Sequence, residues 1–529
     1  MQGTPTPWSY LLVRLLFKFV LKVFYGTIVI NNADLVPVRG KPCIVCANHS
    51  NSLTDALLLV TSIPSNRRNM LRLTAKSTQF GKKTFTSWLV ESAGTVPIHR
   101  RKDFEGPVDN TQAMASLIQA LEAGDAVMMF PEGMSRFHPT IAPLKTGVAR
   151  LASDVLSRHR DDPEFELAIV NCSITYMHRQ HWRSDVLVTW HPPLILRPKD
   201  NPELLDPVNY GAIRELTSQI YRQISSGTLD SPSWNLVKLS KLAARMYAPL
   251  GTTMSLGDHV NITRIFLEAF KDANEETVSE QSSEVQSEAL KVARLQADLK
   301  AYQDQLATLG IKDDRVRTFP SLSRHEILRR MIIRLSWFCL LLLISIPGLL
   351  LWIPVFITTF YAVRELKNGV MSDVFDEIAQ YKLVYGLISG LGVWLCGVVL
   401  TLPFALFTVF LIPAIMWMSL RWMEDCVASF RAFFSLLRLL RAGKPALTET
   451  KRVRDGLHGR ILEWATKSLG LPPDPENFFL QTGGREKGRV MSSWHSKTGY
   501  FSIKRRRKRD WNETLRPYEV EYIYPEEDS

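Results

Sequence analysis

Along the first 240 or so residues, apolar positions fall into short blocks. Residues 43–47, 71–75, 126–130, 167–173 and 186–190 are brief apolar runs bounded by polar or turn-forming residues, the pattern of buried strands. Between them lie stretches with helical spacing, such as 111–123 and 146–156. This alternation predicts an α/β fold with a mostly parallel central sheet flanked by helices. Its site is expected at the rim where several strands end in loops.

The pattern changes further along the chain. Residues 274–314 are polar, yet Val292, Leu295, Leu299, Tyr302, Leu306 and Leu309 alternate gaps of three and four, which predicts a short coiled-coil or partner-packed helix after a linker-like start. Residues 337–362 are nearly continuous hydrocarbon with Pro347 and Pro354 inside, long enough to cross a bilayer. A second apolar stretch, 384–420, is too long for one ordinary span, and Pro403 either kinks it or divides it into a hairpin. The expectation is an α-helical transmembrane module of two long elements, with four shorter ones left open. Arg329, Arg330 and Arg334 precede it and Arg421, Arg431, Arg438 and Arg441 follow it, while the intervening loop offers only Arg364, Lys367 and Lys382 against several acids. By the positive-inside rule both flanks are expected in the cytosol.

At the start, residues 8–25 carry Arg14, Lys18 and Lys22 four apart on one helical face, which favours an interfacial amphipathic helix over a span, with a core helix of the enzyme domain as the alternative. The expected organisation is a membrane-interface helix over 1–30, a catalytic domain over 31–272, a polar helical linker over 273–320, the membrane module over 321–445 and a basic, partly disordered cytosolic tail over 446–529. That tail contains the run Lys504 to Arg509. Beside two strong apolar stretches, such a run points to anionic lipid or a solvated tail rather than to nucleic acid. The excess of 64 Lys and Arg over 52 Asp and Glu agrees with anionic partners without separating phospholipid from phosphate substrates. Six scattered cysteines form no disulfide framework and suit a cytosol-facing domain.

The candidate chemistry starts at His49 and Asp55, directly after the apolar run 43–47. On one straight helix six residues would rotate Asp55 off the face that carries His49, so the pair meets only if His49 lies in a loop that bends before Asp55. Ser50, Asn51 and Ser52 permit that bend and can cap the following helix. The pairing suggests activation of a hydroxyl group, which needs a base for its proton, and a neutral imidazole suits that work. A carboxylate beside it fixes the ring tautomer and stabilises the imidazolium. No nucleophilic side chain and no metal is required. Cys43 and Cys46 read as small buried strand residues, since no second cysteine pair has ligand spacing. Arg100 or Arg101 offers a fork for a phosphate monoester, or belongs to a solvated run ending at Lys102. Pro131 and Gly133 force a turn after 126–130, so Glu132 is expected to project from a strand end at the site. Ser135 and Arg136 continue that loop, and Lys145 either reaches phosphate or is a surface residue.

Four segments in order, Asn48 to Asp55, Gly94 to Arg101, Phe130 to Arg136 and Val170 to Tyr176, resemble the blocks of the glycerolipid acyltransferase (PlsC-type) superfamily. The resemblance spans roughly residues 40–240, and its most specific part is Phe130-Pro131-Glu132-Gly133. The five residues between His49 and Asp55 and the long segment from Phe130 to Lys145 resemble the fungal glycerol-3-phosphate and dihydroxyacetone-phosphate branch. What the resemblance implies is a pair of catalytic residues, His49 and Asp55, with Gly94, Arg100, Arg101, Glu132, Gly133, Ser135 and Lys145 around the acceptor. It further implies acyl-CoA as co-substrate with no other cofactor, glycerol 3-phosphate or dihydroxyacetone phosphate as acceptor, and a multi-pass protein of the endoplasmic reticulum. Two departures stand out: His99 precedes the two arginines, leaving open which one binds phosphate, and the fourth block lacks the usual proline. Acylation of 1-acylglycerol 3-phosphate, or a catalytically silent lipid-binding or tethering protein, remain the alternatives.

Overall fold

The computed structural model describes residues 3–83, 85–99, 109–179, 183–249, 252, 254–276, 283–317, 323–369 and 376–482. They fall into two compact units, Met1–Asp230 with Glu365–Leu383, and Ser231–Arg364 with Val384–Ser529.

In the first unit the chain runs α1 (Trp8–Phe24), β1 (Thr27–Asn31), β2 (Cys43–Ala47), α2 (Leu53–Ser62), β3 (Thr74–Lys76), α3 (Phe85–Ser92), β4 (Val96–Ile98), α4 (Thr111–Glu122), β5 (Ala126–Met129), α5 (Gly147–Arg158), β6 (Leu167–Tyr176), β7 (Asp185–Trp190), β8 (Leu194–Leu196) and α6 (Tyr210–Ser226). The central sheet has the order β1-β7-β6-β2-β5, with β8 also paired to β6. β2 is parallel to both β5 and β6, whereas β7 and β8 run antiparallel to β6, so the sheet is mixed but mostly parallel. All five residues of β2 are buried, as the unbroken run Cys43-Ile44-Val45-Cys46-Ala47 requires of a strand covered on both faces. The expected strand at 71–75 shifts to Thr74–Lys76, which pairs with β4 in a separate two-stranded sheet.

The first helix exposes two of its three expected cations. Tyr10, Val13, Phe17, Val20, Leu21 and Phe24 are buried, while Trp8, Leu12, Leu15 and Phe19 are exposed together with Lys18 and Lys22, so the open face is both apolar and cationic. Arg14 turns inward and donates to the carbonyls of Ile63, Arg68 and Asn69, because a half-buried guanidinium needs acceptors that the apolar wall lacks. The boundary expected at residue 30 falls inside β1, which belongs to the central sheet.

The second unit begins at Ser231, well before the boundary expected at residue 272. It contains α7 (Trp234–Tyr247), α8 (Leu256–Glu276), α9 (Ser283–Leu309), α10 (Asp313–Arg317), α14 (Lys444–Lys467) and α15 (Pro475–Gln481). The segment expected as a linker is therefore packed structure. Val292, Leu295, Leu299, Tyr302 and Leu306 of α9 are buried, and Arg454 of α14 donates to Asp313 at 2.8 Å beside the Tyr302 hydroxyl. The spacing that predicted a partner-packed helix thus finds its partners within the chain. The expected tail likewise starts as the packed helix α14, and its basic run lies outside the described residues.

Among the described residues, three helices are long and apolar enough to cross a membrane: α11 (Arg324–Gly369), α12 (Ile378–Leu400) and α13 (Ala405–Ala442). Two long elements were expected; the second divides at a turn around Pro403, since proline cannot continue the helical hydrogen bonding there. α11 and α13 pack antiparallel, with Trp352 Nε1 donating to the Met416 carbonyl at 3.0 Å. A methyl group on Gly348 would lie 2.2 Å from Ser419 Cβ. Gly348→Leu is therefore expected to separate these helices and lower the melting temperature of the detergent-purified protein, whereas the same change at Gly390, which faces open space, should leave it unchanged.

Candidate active site

β2 and β5 lie side by side in parallel register, Cys46 opposite Met129, so the loops that follow them emerge at the same edge. One loop carries Asn48 and His49; the other carries Phe130 to Ser135. β6 is parallel to β2 up to Cys172 and then continues to Tyr176 against β7 alone, which extends its end past the edge where His49 sits. Asn48 bridges the difference: its side chain donates to the Ile174 carbonyl at 3.0 Å and accepts from the Ile174 N–H at 2.8 Å, imitating one more strand residue.

The structure brings His49 and Asp55 together, Nδ1 to Oδ2 at 2.9 Å. The carboxylate can only accept, so Nδ1 carries the proton and Nε2 is left with its lone pair. Asp55 Oδ2 also accepts from the Ser50 and Asn51 N–H groups, each at 2.8 Å, and Oδ1 accepts from the Tyr176 hydroxyl. The Asp55 side chain is 0% exposed and that of His49 16%, an imidazole reachable from solvent on a buried support. Burial, then the neighbouring Asp55 charge, pushes the Tyr176 phenol well above its usual range and keeps it a donor. The chain bends at Ser52, φ 44 and ψ −133, a conformation that costs a residue with a side chain on the order of 1–3 kcal/mol and persists only where its surroundings hold it. The Ser52 N–H donates to Ser135 Oγ at 2.9 Å.

Glu132 is placed differently from its expectation as a group projecting into the site. It is buried, and its carboxylate accepts from the His49 N–H at 2.6 Å and the Ala142 N–H at 3.0 Å. Burial raises its pKa, and those two N–H groups oppose the rise. Gly133 has φ 74, and the Lys145 side chain crosses where a Cβ would stand, with Nζ 2.4 Å from that position. The positive φ requires glycine there, while the lysine chain could move aside for a Cβ. The imidazole of His49 stacks on Phe130, ring centres 3.8 Å apart, so the loop after β5 grips His49 by its backbone and its ring.

Of the other expected residues, Gly94 sits in the turn before β4 with φ 71, and Ser135 braces Ser52. Arg100 and Arg101 lie outside the described residues, just past His99 at the end of β4. Sequence reasoning left Tyr176, Phe130 and Arg179 without a role. Arg179 donates to the Ser50 carbonyl at 3.1 Å and lies over Phe137, tying the His49 loop to the segment after Glu132. No local spacing marks any of the three; only the strand register does. Burial pushes the Cys43 thiol up to about 11 and Cys46 higher still, which makes both unreactive packing residues.

A second histidine pair resembles a nucleophile and its base but is not one. Ser173 Oγ lies 2.7 Å from His191 Nε2 and 2.7 Å from the Ile224 carbonyl. The single hydroxyl proton must go to the carbonyl, so His191 donates and Ser173 is not activated. Burial lowers the His191 pKa from 6.5 to about 4. Below pH 6.5 the unfolded chain takes up a proton that the folded one refuses, so stability falls between about pH 6.5 and pH 4 and is level above. Thermal unfolding followed from pH 7.5 to 5 should therefore lose less stability in His191→Gln than in the parent chain.

A histidine with Nε2 left open, held by a buried carboxylate at the edge of a mostly parallel sheet, is the arrangement that activation of a hydroxyl for acyl transfer requires. The acyltransferase family profile matches residues 27–175, and that of the glycerol-3-phosphate acyltransferase 2 C-terminal domain matches residues 239–468. The chain thus carries an acyltransferase domain followed by that C-terminal domain, and it is homologous to glycerol-3-phosphate O-acyltransferases of yeast. It is 26% identical over 290 residues to glycerol-3-phosphate O-acyltransferase 2 of Saccharomyces cerevisiae, covering 53% of this chain and 37% of the relative. Glycerol-3-phosphate O-acyltransferase 1 of the same yeast is 25% identical over 297 residues, 54% of this chain and 36% of its own. An uncharacterised acyltransferase of Schizosaccharomyces pombe is 25% identical over 366 residues, 68% and 51% respectively. The chain therefore matches between about a third and a half of the length of these relatives.

Proposed function

We propose that this protein transfers a fatty acyl group from acyl-CoA to the sn-1 hydroxyl of glycerol 3-phosphate, releasing CoA and 1-acylglycerol 3-phosphate. The observation that carries this reading is His49 Nε2, left as a lone pair because Asp55 holds Nδ1. In the proposed step Nε2 takes the hydroxyl proton as the oxygen attacks the thioester carbonyl. Asp55 stabilises the imidazolium through the 2.9 Å contact. The tetrahedral intermediate collapses, the C–S bond breaks and the CoA thiolate leaves, with the proton returned from His49. Arg100 or Arg101, together with Lys145, supplies positive charge for the phosphate of the acceptor. Dihydroxyacetone phosphate presents the same phosphate and primary hydroxyl and is the second acceptor.

The three apolar helices support a membrane enzyme, and the proposed setting is the endoplasmic reticulum with the catalytic unit facing cytosolic acyl-CoA. Membranes from cells expressing the chain, supplied with acyl-CoA and one of glycerol 3-phosphate, dihydroxyacetone phosphate or 1-acylglycerol 3-phosphate, test the reading. Highest kcat/KM with glycerol 3-phosphate is expected; preference for the acylated acceptor would overturn the substrate assignment. Substituting Arg100 and Arg101 singly by alanine should raise the acceptor KM for one of the two by roughly ten- to a hundred-fold, identifying the phosphate ligand.

A further inference from the structure

The catalytic unit includes a segment far from the acyltransferase core in sequence, Glu365–Leu383, which takes in the end of α11 and the start of α12. Its described residues reach the turn that shapes the His49 loop. Gln380 Oε1 accepts from Ser52 Oγ at 2.9 Å and from the Leu53 N–H at 3.2 Å. Asp376 is buried and its carboxylate accepts from Ser135 Oγ, the same oxygen that receives the Ser52 N–H. Ser52, the residue with the strained backbone, is thus held through its N–H by Ser135 and through its hydroxyl by Gln380. The Leu53 N–H is one of the first donors of α2, which no carbonyl of that helix can satisfy.

We propose that the start of α12 is a working part of the active site, in which Gln380 and, just before the helix, Asp376 are positioning residues that hold the Ser52 turn and so the His49–Asp55 pair. The inference rests on the reading of His49 as the base. Gln380 acts only through its carbonyl oxygen, so a glutamate there can replace it and an isosteric apolar side chain cannot.

Membrane topology follows from the same contacts. Because Asp376–Leu383 and the acyltransferase core form one unit, they lie on one side of the bilayer, and the chain between Asp230 and Asp376 crosses it an even number of times. Among the described residues α11 is the only helix in that stretch long and apolar enough to cross. Its 46 residues, about 69 Å of helix, therefore do not make a single complete pass. The charge pattern of the sequence placed this connection on the side opposite the flanks; the hydrogen bonds to Ser52 and Leu53 place it with the catalytic unit.

Full-length protein in membranes, matched for inserted amount, tests both statements. Gln380→Leu should lower kcat roughly ten- to a hundred-fold while the KM for acyl-CoA stays within about twofold, and Gln380→Glu should restore most of the lost kcat. Undiminished kcat in Gln380→Leu, or an equal loss in Gln380→Glu, overturns the proposal. His49→Ala serves as the control: if it is inactive while Gln380→Leu is fully active, only the positioning role fails, whereas an active His49→Ala overturns the reading of the site itself. For topology, Asn368→Cys and Glu203→Cys are made singly in a chain with Cys339 and Cys396 changed to serine, then treated with an impermeant maleimide in sealed vesicles. Labelling of both from the same side is expected; labelling from opposite sides overturns the shared-side assignment.

Discussion

His49→Ala is expected to lower kcat/KM for acyl transfer by roughly 10²–10⁴-fold without loss of membrane insertion, the range by which general-base catalysis accelerates such steps. His49 has 16% side-chain exposure, and alanine removes the base while leaving the carboxylate with three of its four donors. Asp55→Asn is expected to come close to the same loss by another route. An asparagine oxygen in the place of Oδ2 can still accept from His49, Ser50 and Asn51, with the amide group at the Tyr176 hydroxyl, which can turn to accept. The loss comes from charge: the imidazolium no longer has a counter-charge beside it. Steady-state rates with saturating acyl-CoA measure both variants, and normal turnover in either would remove the pair from the mechanism.

The second large effect is expected at Glu132. Alanine there strands two backbone N–H groups, those of His49 and Ala142, and each buried donor left without a partner costs about 1–3 kcal/mol. Glu132→Gln is expected to fail as well, because its amide nitrogen would meet one of the two N–H groups. Both variants should therefore lower kcat together with the melting temperature. A carboxylate that contacted the acceptor instead would show a raised KM for glycerol 3-phosphate at unchanged stability. Comparing the two variants in a thermal shift assay and a substrate titration decides between clamp and ligand.

The strands of the catalytic unit were legible wherever burial on both faces wrote an unbroken apolar run, as in β2 and β5. β1 and β4 escaped notice: Thr27–Asn31 begins and ends in polar residues, and Val96–Ile98 is three residues with a proline in the middle. His49 and Asp55 were legible because both their contact and the bend that permits it are local. The partners that make the pair work were not. Glu132 reaches His49 across 83 positions, Tyr176 reaches Asp55 across 121, and Gln380 reaches Leu53 across 327. Hydrophobic periodicity reports which face of an element is buried, and it is silent about which polar groups meet once elements pack.

What the sequence determined alone was the α/β class of the catalytic domain, the order of its motif loops, and the presence of helices able to cross a membrane, all of which follow from local apolar pattern and turn chemistry. The tertiary structure decided that Glu132 braces the His49 backbone, that Arg14 points inward, that α9 finds its partners within the chain, and that Gln380 at the start of α12 reaches the Ser52 turn. Each of these depends on long-range register and on the need of buried polar groups for partners, and neither is encoded in the spacing of neighbouring residues.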